Sequence, residues 1–169
     1  MLVRREIATK GVSVDVLKEM ADRRQIDDLL YRYAHALDGR DWNLLRTCFT
    51  EDAVADFLEL GGVNEGADVI VAFVSSALSG LDASQHIIST TLATVEGDSA
   101  QSTCYLQAQH VFKGAEGGDH FLVGGYYVDK LVRTAEGWRI AHRTLHATWM
   151  EGNASVFAAA AERLKASAA

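Results

Sequence analysis

No proline occurs anywhere in the chain's 169 residues, although average usage of about 5% predicts roughly eight. Cis-proline turns and polyproline ligands are therefore excluded. Cysteine is almost as scarce: Cys48 and Cys104 stand alone, outside any CxxC, so there is no disulfide framework and a reduced, cytoplasmic setting is expected. Basic clusters are missing too. No run of Lys or Arg exceeds the pairs Arg4-Arg5 and Arg23-Arg24, and the formal net charge is -7. This argues against a nucleic-acid partner, because phosphate binding needs a basic face. The opening segment MLVRREIATKGVSVDVLKEM lacks the apolar core and cleavage site of a secretory signal, and no apolar run approaches the length of a membrane span. The expectation is one soluble domain over residues 1–169, with its core at about 14–150 and an Ala-rich tail at 155–169.

What is present is periodicity of two kinds. Ile26, Leu29, Leu30, Tyr33 and Leu37 recur at helical spacing within residues 14–37, and Gly39 marks a stop. Asp41 suits the N-cap of a short second helix, WNLLRTCF, with Trp42, Leu45 and Phe49 on one side. A short strand at 53–59, the loop GGVNEG and a third helix at about 66–79 follow. From residue 84 the pattern alternates, which predicts strands at about 84–95, 99–113, 120–133 and 137–150, joined by the turn sequences EGD, GAEGGD and TAEG. Helices followed by a long meander predict an α+β fold, a curved antiparallel sheet wrapped around the N-terminal helices. The tail SVFAAAAERLKASAA reads as a helix that docks weakly or frays.

Alternation also sorts polar residues by face. His110 shares a face with Ala100, Cys104, Leu106 and Ala108, so it is predicted to point inward. His86 fits either face of its strand. On the last strand Trp138, Ile140, His142, Thr144 and His146 fall together, opposite Arg139, Arg143 and Leu145. Each inward polar group alone fits an ordinary core hydrogen bond. Together, Asp38 at the helix end in the stretch ALDGRDWNLL and two histidines can form an acid/base set. In such a set the carboxylate orients one imidazole and raises its basicity.

Other chemistries find no motif. HExxH, GxSxG and a P-loop are all missing, and the Gly pairs at 61–62, 117–118 and 124–125 lack a strand-Gly-helix context. Metal, serine-nucleophile and dinucleotide readings are rejected on that ground.

The run LDGRDWNLLRTCFTEDAV, the segment YRYAHA before it and the QHIIST strand resemble the SnoaL-like branch of the NTF2-like superfamily, closest in pattern to the scytalone dehydratases. Asp38, His86 and His110 match the family's aspartate and two histidines, and Trp138 and Trp149 match structural tryptophans. The resemblance implies a cone-shaped fold. It also implies a cofactor-independent lyase or isomerase in which His86, oriented by Asp38, removes a proton next to a carbonyl of a small hydrophobic cyclic substrate. His110 then positions or protonates. The family's two tyrosines are replaced by Leu37 and Phe57, and its substrate-binding Ser and Asn by Gly125 and Tyr127. Carbonyl recognition is therefore expected from Tyr33 or Tyr127, with Phe57 and Trp42 as further substrate-binding candidates. The resemblance also implies a homo-oligomer, a trimer before a dimer, and neither metal nor organic cofactor. A non-catalytic small-molecule-binding module and a polyketide-cyclase-like enzyme are the alternatives, because this fold hosts all three.

Overall fold

The computed structural model describes residues 13–168. The first helix, α1 (Val14–Gly39), starts where the Ser13 hydroxyl accepts the N–H of Val16, with Asp15 in the first turn. A capping hydroxyl and an early acid both favour a helix N-terminus. Ile26, Leu29 and Leu30 are fully buried, and Tyr33 and Leu37 nearly so. Burying each such side chain stabilises the fold by about 1.5–3 kcal/mol. The helix ends at Gly39, but the left-handed residue that follows is Arg40, with φ 56° and an N–H given to the last helical carbonyls.

Asp41 caps α2 (Trp42–Arg46), accepting the N–H of Leu44 at 2.9 Å. This helix is shorter than the spacing predicts, because Phe49 opens a strand, β1 (Phe49–Asp56), instead of closing a helical face. A short 3-10 turn (Leu58–Leu60) leads to β2 (Val63–Glu65), where a plain loop was expected. Next comes α3 (Ala67–Leu78), which buries Ile70, Val74 and Leu78. The four predicted strands follow as β3 (Ala83–Glu96), β4 (Ser99–Val111), β5 (His120–Thr134) and β6 (Gly137–Gly152), and the chain finishes in α4 (Val156–Ala168).

The sheet order is β2-β1-β6-β5-β4-β3. Every neighbouring pair is antiparallel except β1 and β6, which run parallel, so the expected antiparallel sheet is a mixed one. The exception arises because the chain passes from β2 through α3 to β3 at the far edge of the sheet and returns by four antiparallel strands, the last of which lies beside β1 in the same direction. The sheet stays open and curves into a cone, with α1 against β3 and α3 against β1. A shift of register between Lys130 and Leu131 puts Ile140 and Arg143 on the same inner side of β6. This corrects the predicted face, which grouped Ile140 with His142 and His146. One extra residue in a strand turns everything after it over.

The Ala-rich tail does more than fray. Val156 and Ala160 are fully buried, and a Cβ on Gly80 would lie 2.1 Å from the Ala160 carbonyl oxygen. Arg163 bonds the Gly80 carbonyl and the Asp82 carboxylate and lies over the Phe112 ring. The helix therefore closes one end of the cone.

Candidate active site

Between the helices and the concave face of the sheet lies a cavity of about 430 Å³. Its wall is mostly apolar, with Leu37, Phe57, Phe73, Val123, Leu145 and Phe157 among its residues. Two imidazoles, His86 and His110, and two phenols, Tyr33 and Tyr127, interrupt it. A few polar groups in an apolar cleft are the usual make-up of a small-molecule site.

Asp38 comes from the last turn of α1 and His86 from β3, and the packing of that helix on that strand brings them together. The His86 ring nitrogen Nδ1 is 2.7 Å from Asp38 Oδ1, the His86 backbone N–H donates to Oδ2 at 2.8 Å, and the Ser84 hydroxyl donates to Oδ1 at 3.1 Å. Burial pushes the Asp38 carboxyl up, but the bonds and charge of His86 and the Ser84 hydroxyl outweigh it and hold the group below the usual carboxylate range. An ionised carboxylate only accepts, so Nδ1 of His86 carries a proton, and in the neutral ring Nε2 keeps its lone pair. This inward placement settles the side of β3 that periodicity left open.

His110, on β4, is buried as its alternation predicts, with its ring centre 5.6 Å from that of His86 and the two rings edge to face. Its Nδ1 lies 3.3 Å from the Phe121 carbonyl oxygen. A carbonyl also only accepts, so His110 too leaves Nε2 unprotonated. Burial, reinforced by the neighbouring His86, pushes its pKa from 6.5 down to about 4. His110 is therefore neutral near pH 7 and suited to accept a hydrogen bond, not to deliver a proton.

Tyr33 and Tyr127 meet edge to face at 5.9 Å, and the Arg143 guanidinium lies 4.1 Å and 4.0 Å from their ring centres. Arg143 and Asp129 are both fully buried and paired through two bonds of 2.8 Å and 2.7 Å, while the remaining Nη1 has no hydrogen-bond partner among the described residues. Two ring faces against a guanidinium offset part of that cost. Burial raises the pKa of Tyr33, opposed by Arg143, and raises that of Tyr127 well above the usual phenol value. Both phenols stay protonated at neutral pH and can donate.

Asp38, His86 and His110 thus come together, and Tyr33, Phe57 and Tyr127 line the same cavity. Trp42 does not. It sits at the start of α2, partly buried against the core, and forms no part of the cavity wall. Gly125 has no room for a side chain, since a Cβ there would lie 2.1 Å from the His146 carbonyl oxygen. Sequence reasoning missed Ser84, Arg40, Asp129 and Arg143. Asp129 was readable, because alternation along β5 places it among Phe121, Val123, Tyr127 and Leu131, and an acid in such a set signals a buried partner. Among the described residues no group of three His, Cys, Asp or Glu side chains converges as a metal site would require.

Comparison with known proteins agrees with this architecture. The protein of the terrestric acid biosynthesis cluster (protein E) in Penicillium crustosum is 35% identical over 158 residues, covering 89% of this chain and 99% of that one. The crystal structure of the Kfla4162 protein of Kribbella flavida superposes with a TM-score of 0.77 at 27% identity, over 83% of this chain and 99% of that one. A Novosphingobium aromaticivorans structure named for scytalone dehydratase shares the fold, with a TM-score of 0.74 at 19% identity over 82% of this chain and 91% of its own. The family model of the SnoaL-like domain matches residues 18–144. On the cone, the match and the relatives, this chain belongs to the SnoaL-like family within the NTF2-like superfamily.

Proposed function

We propose that the chain is a cofactor-independent lyase or isomerase whose base is His86. The observation that carries the reading is the 2.7 Å contact between Asp38 and His86, which fixes one imidazole tautomer at the edge of an apolar cavity. His86 Nε2 takes a proton from the carbon beside a carbonyl, and Asp38 stabilises the imidazolium that forms. His110 accepts a hydrogen bond from the substrate. Tyr33 and Tyr127 supply the donors that stabilise the developing enolate oxygen, in place of tyrosines at positions 37 and 57. In the lyase reaction His86 returns that proton to the leaving hydroxyl, which departs as water as the carbon–carbon double bond forms, and in the isomerase reaction it returns the proton to another carbon. The kinship with a biosynthesis-cluster protein supports a small-molecule substrate, and the apolar cavity wall supports a hydrophobic one.

The experiment uses 2-tetralone in deuterium oxide, with exchange at the carbons beside its carbonyl followed by NMR. This reads proton removal whatever the true leaving group is. The wild type is expected to exchange about a hundredfold or more faster than His86→Gln, the usual worth of a positioned base. Asp38→Asn is expected to fall toward the same level. Binding of the ketone without exchange above the His86→Gln rate would sink the enzyme reading and leave a binding module.

A further inference from the structure

Arg40 holds a left-handed backbone at φ 56° just after α1. That conformation is strained for a residue with a side chain, and glycine would adopt it freely. Such strain persists where the surroundings demand it, most often at functional sites. What arginine adds at this position is a side chain folded back over the helix end. Its Nη1 lies 2.7 Å from the Leu37 carbonyl oxygen and 2.6 Å from Ser84 Oγ.

Nη1 can only donate, and Leu37 and Ser84 are its near acceptors, with the Asp38 backbone carbonyl oxygen farther off at 3.5 Å. Ser84 Oγ is therefore an acceptor toward Arg40, and its own proton is left for Asp38 Oδ1 at 3.1 Å. Asp38 Oδ1 then receives the Ser84 hydroxyl and His86 Nδ1–H, while Oδ2 receives the His86 backbone N–H. Each contact in this chain has a single direction. Arg40 and Asp38 also face each other as opposite charges, each half-buried.

We propose that Arg40 and Ser84 are positioning residues for the Asp38–His86 pair: Arg40 sets the direction of the Ser84 hydroxyl, and that hydroxyl holds the carboxylate so that the imidazole proton stays on Nδ1. The proposal rests on the acid/base reading of that pair. Without the relay the carboxylate is free to turn, and the imidazole can move its proton to Nε2. The nitrogen at the cavity would then be a donor, and His86 could no longer act as a base. Neither residue touches the substrate, and both act through Asp38.

The test needs no substrate. Two-bond proton–nitrogen NMR of 15N-histidine-labelled protein shows which ring nitrogen of neutral His86 carries the proton, with the assignment made from His86→Gln. The wild type is expected to show the Nδ1–H form. Ser84→Ala and Arg40→Met are each expected to lower the ratio of Nδ1–H to Nε2–H about fivefold, the worth of roughly one hydrogen bond. Ser84→Thr and Arg40→Lys, which keep a donor, are expected to restore most of it. Backbone amide spectra check that each variant is folded, and Ser84→Ala stands alone if Arg40→Met is not. An unchanged ratio in folded Ser84→Ala overturns the relay and leaves the Asp38–His86 pair intact. A wild-type His86 with its proton on Nε2 overturns the pair and the relay together.

Discussion

Lowering the pH should unfold this protein through His110 before it does so through any carboxylate. The imidazole titrates at about 4 in the folded chain against 6.5 for an ordinary histidine, because its burial and the neighbouring His86 outweigh the Phe121 carbonyl, whose hydrogen bond favours the protonated ring. The unfolded chain therefore binds this proton first as pH falls. The stability that His110 contributes is whole above about pH 6.5, declines below it and is exhausted near pH 4. At 1.36 kcal/mol per pH unit, the gap corresponds to about 3 kcal/mol, a large share of a typical domain's stability. Asp38, held below the usual carboxylate range, adds its own loss only at still lower pH. The assay is urea unfolding followed by circular dichroism between about pH 7 and pH 4.5, comparing wild type with His110→Gln, whose amide keeps a donor and never charges. The wild type should lose about 2–3 kcal/mol more than the variant over that range. Equal losses in the two proteins would refute the burial argument and return His110 to the list of possible proton donors.

Removing Arg143 alone, as Arg143→Met, leaves Asp129 charged and fully buried, and urea unfolding should show a loss of about 3–5 kcal/mol. The double change Arg143→Met with Asp129→Leu should recover most of it, and a double variant as unstable as the single one would show that packing, not charge, is at stake. Gly80→Ala drives a Cβ into the backbone of Ala160, so it should cost about 1–3 kcal/mol and speed amide hydrogen exchange in α4. Unchanged exchange there would mean that the docking of α4 does not depend on this close approach.

The helical stripe of α1 and the inward side of β4 were legible because each keeps one period over its whole length. His110 could be picked out for the same reason, and Asp38 by its place where the α1 stripe ends. His86 could not be placed by pattern, since β3 is an edge strand with a register shift between Ser89 and Leu92, and its two faces carry similar residues. β2 is three residues long and has no local signature, and the parallel pairing of β1 with β6 joins segments at opposite ends of the chain. The burial of Arg143 depends on a single extra residue in β6, which alternation alone does not reveal. α4 docks through Ala160 against Gly80, a contact between small residues that hydrophobicity barely registers. Arg40 and Ser84 are far apart in sequence and meet where α1 packs on β3, a tertiary contact with no local signature.

That parallel pairing also sets an order of assembly. Phe49 finds its partner only when Ile140 arrives, so one side of β1 waits through the synthesis of nearly the whole meander. Long-range closure of this kind slows folding and lengthens the exposure of an unpaired strand. A nascent chain stalled before Gly137 could already bring α1 onto β3 and join Asp38 to His86, yet it would still offer a bare strand edge to other chains. At that stage Asp38 would already lie against His86 while the sheet is unfinished, so the β1–β6 seam is the last to close.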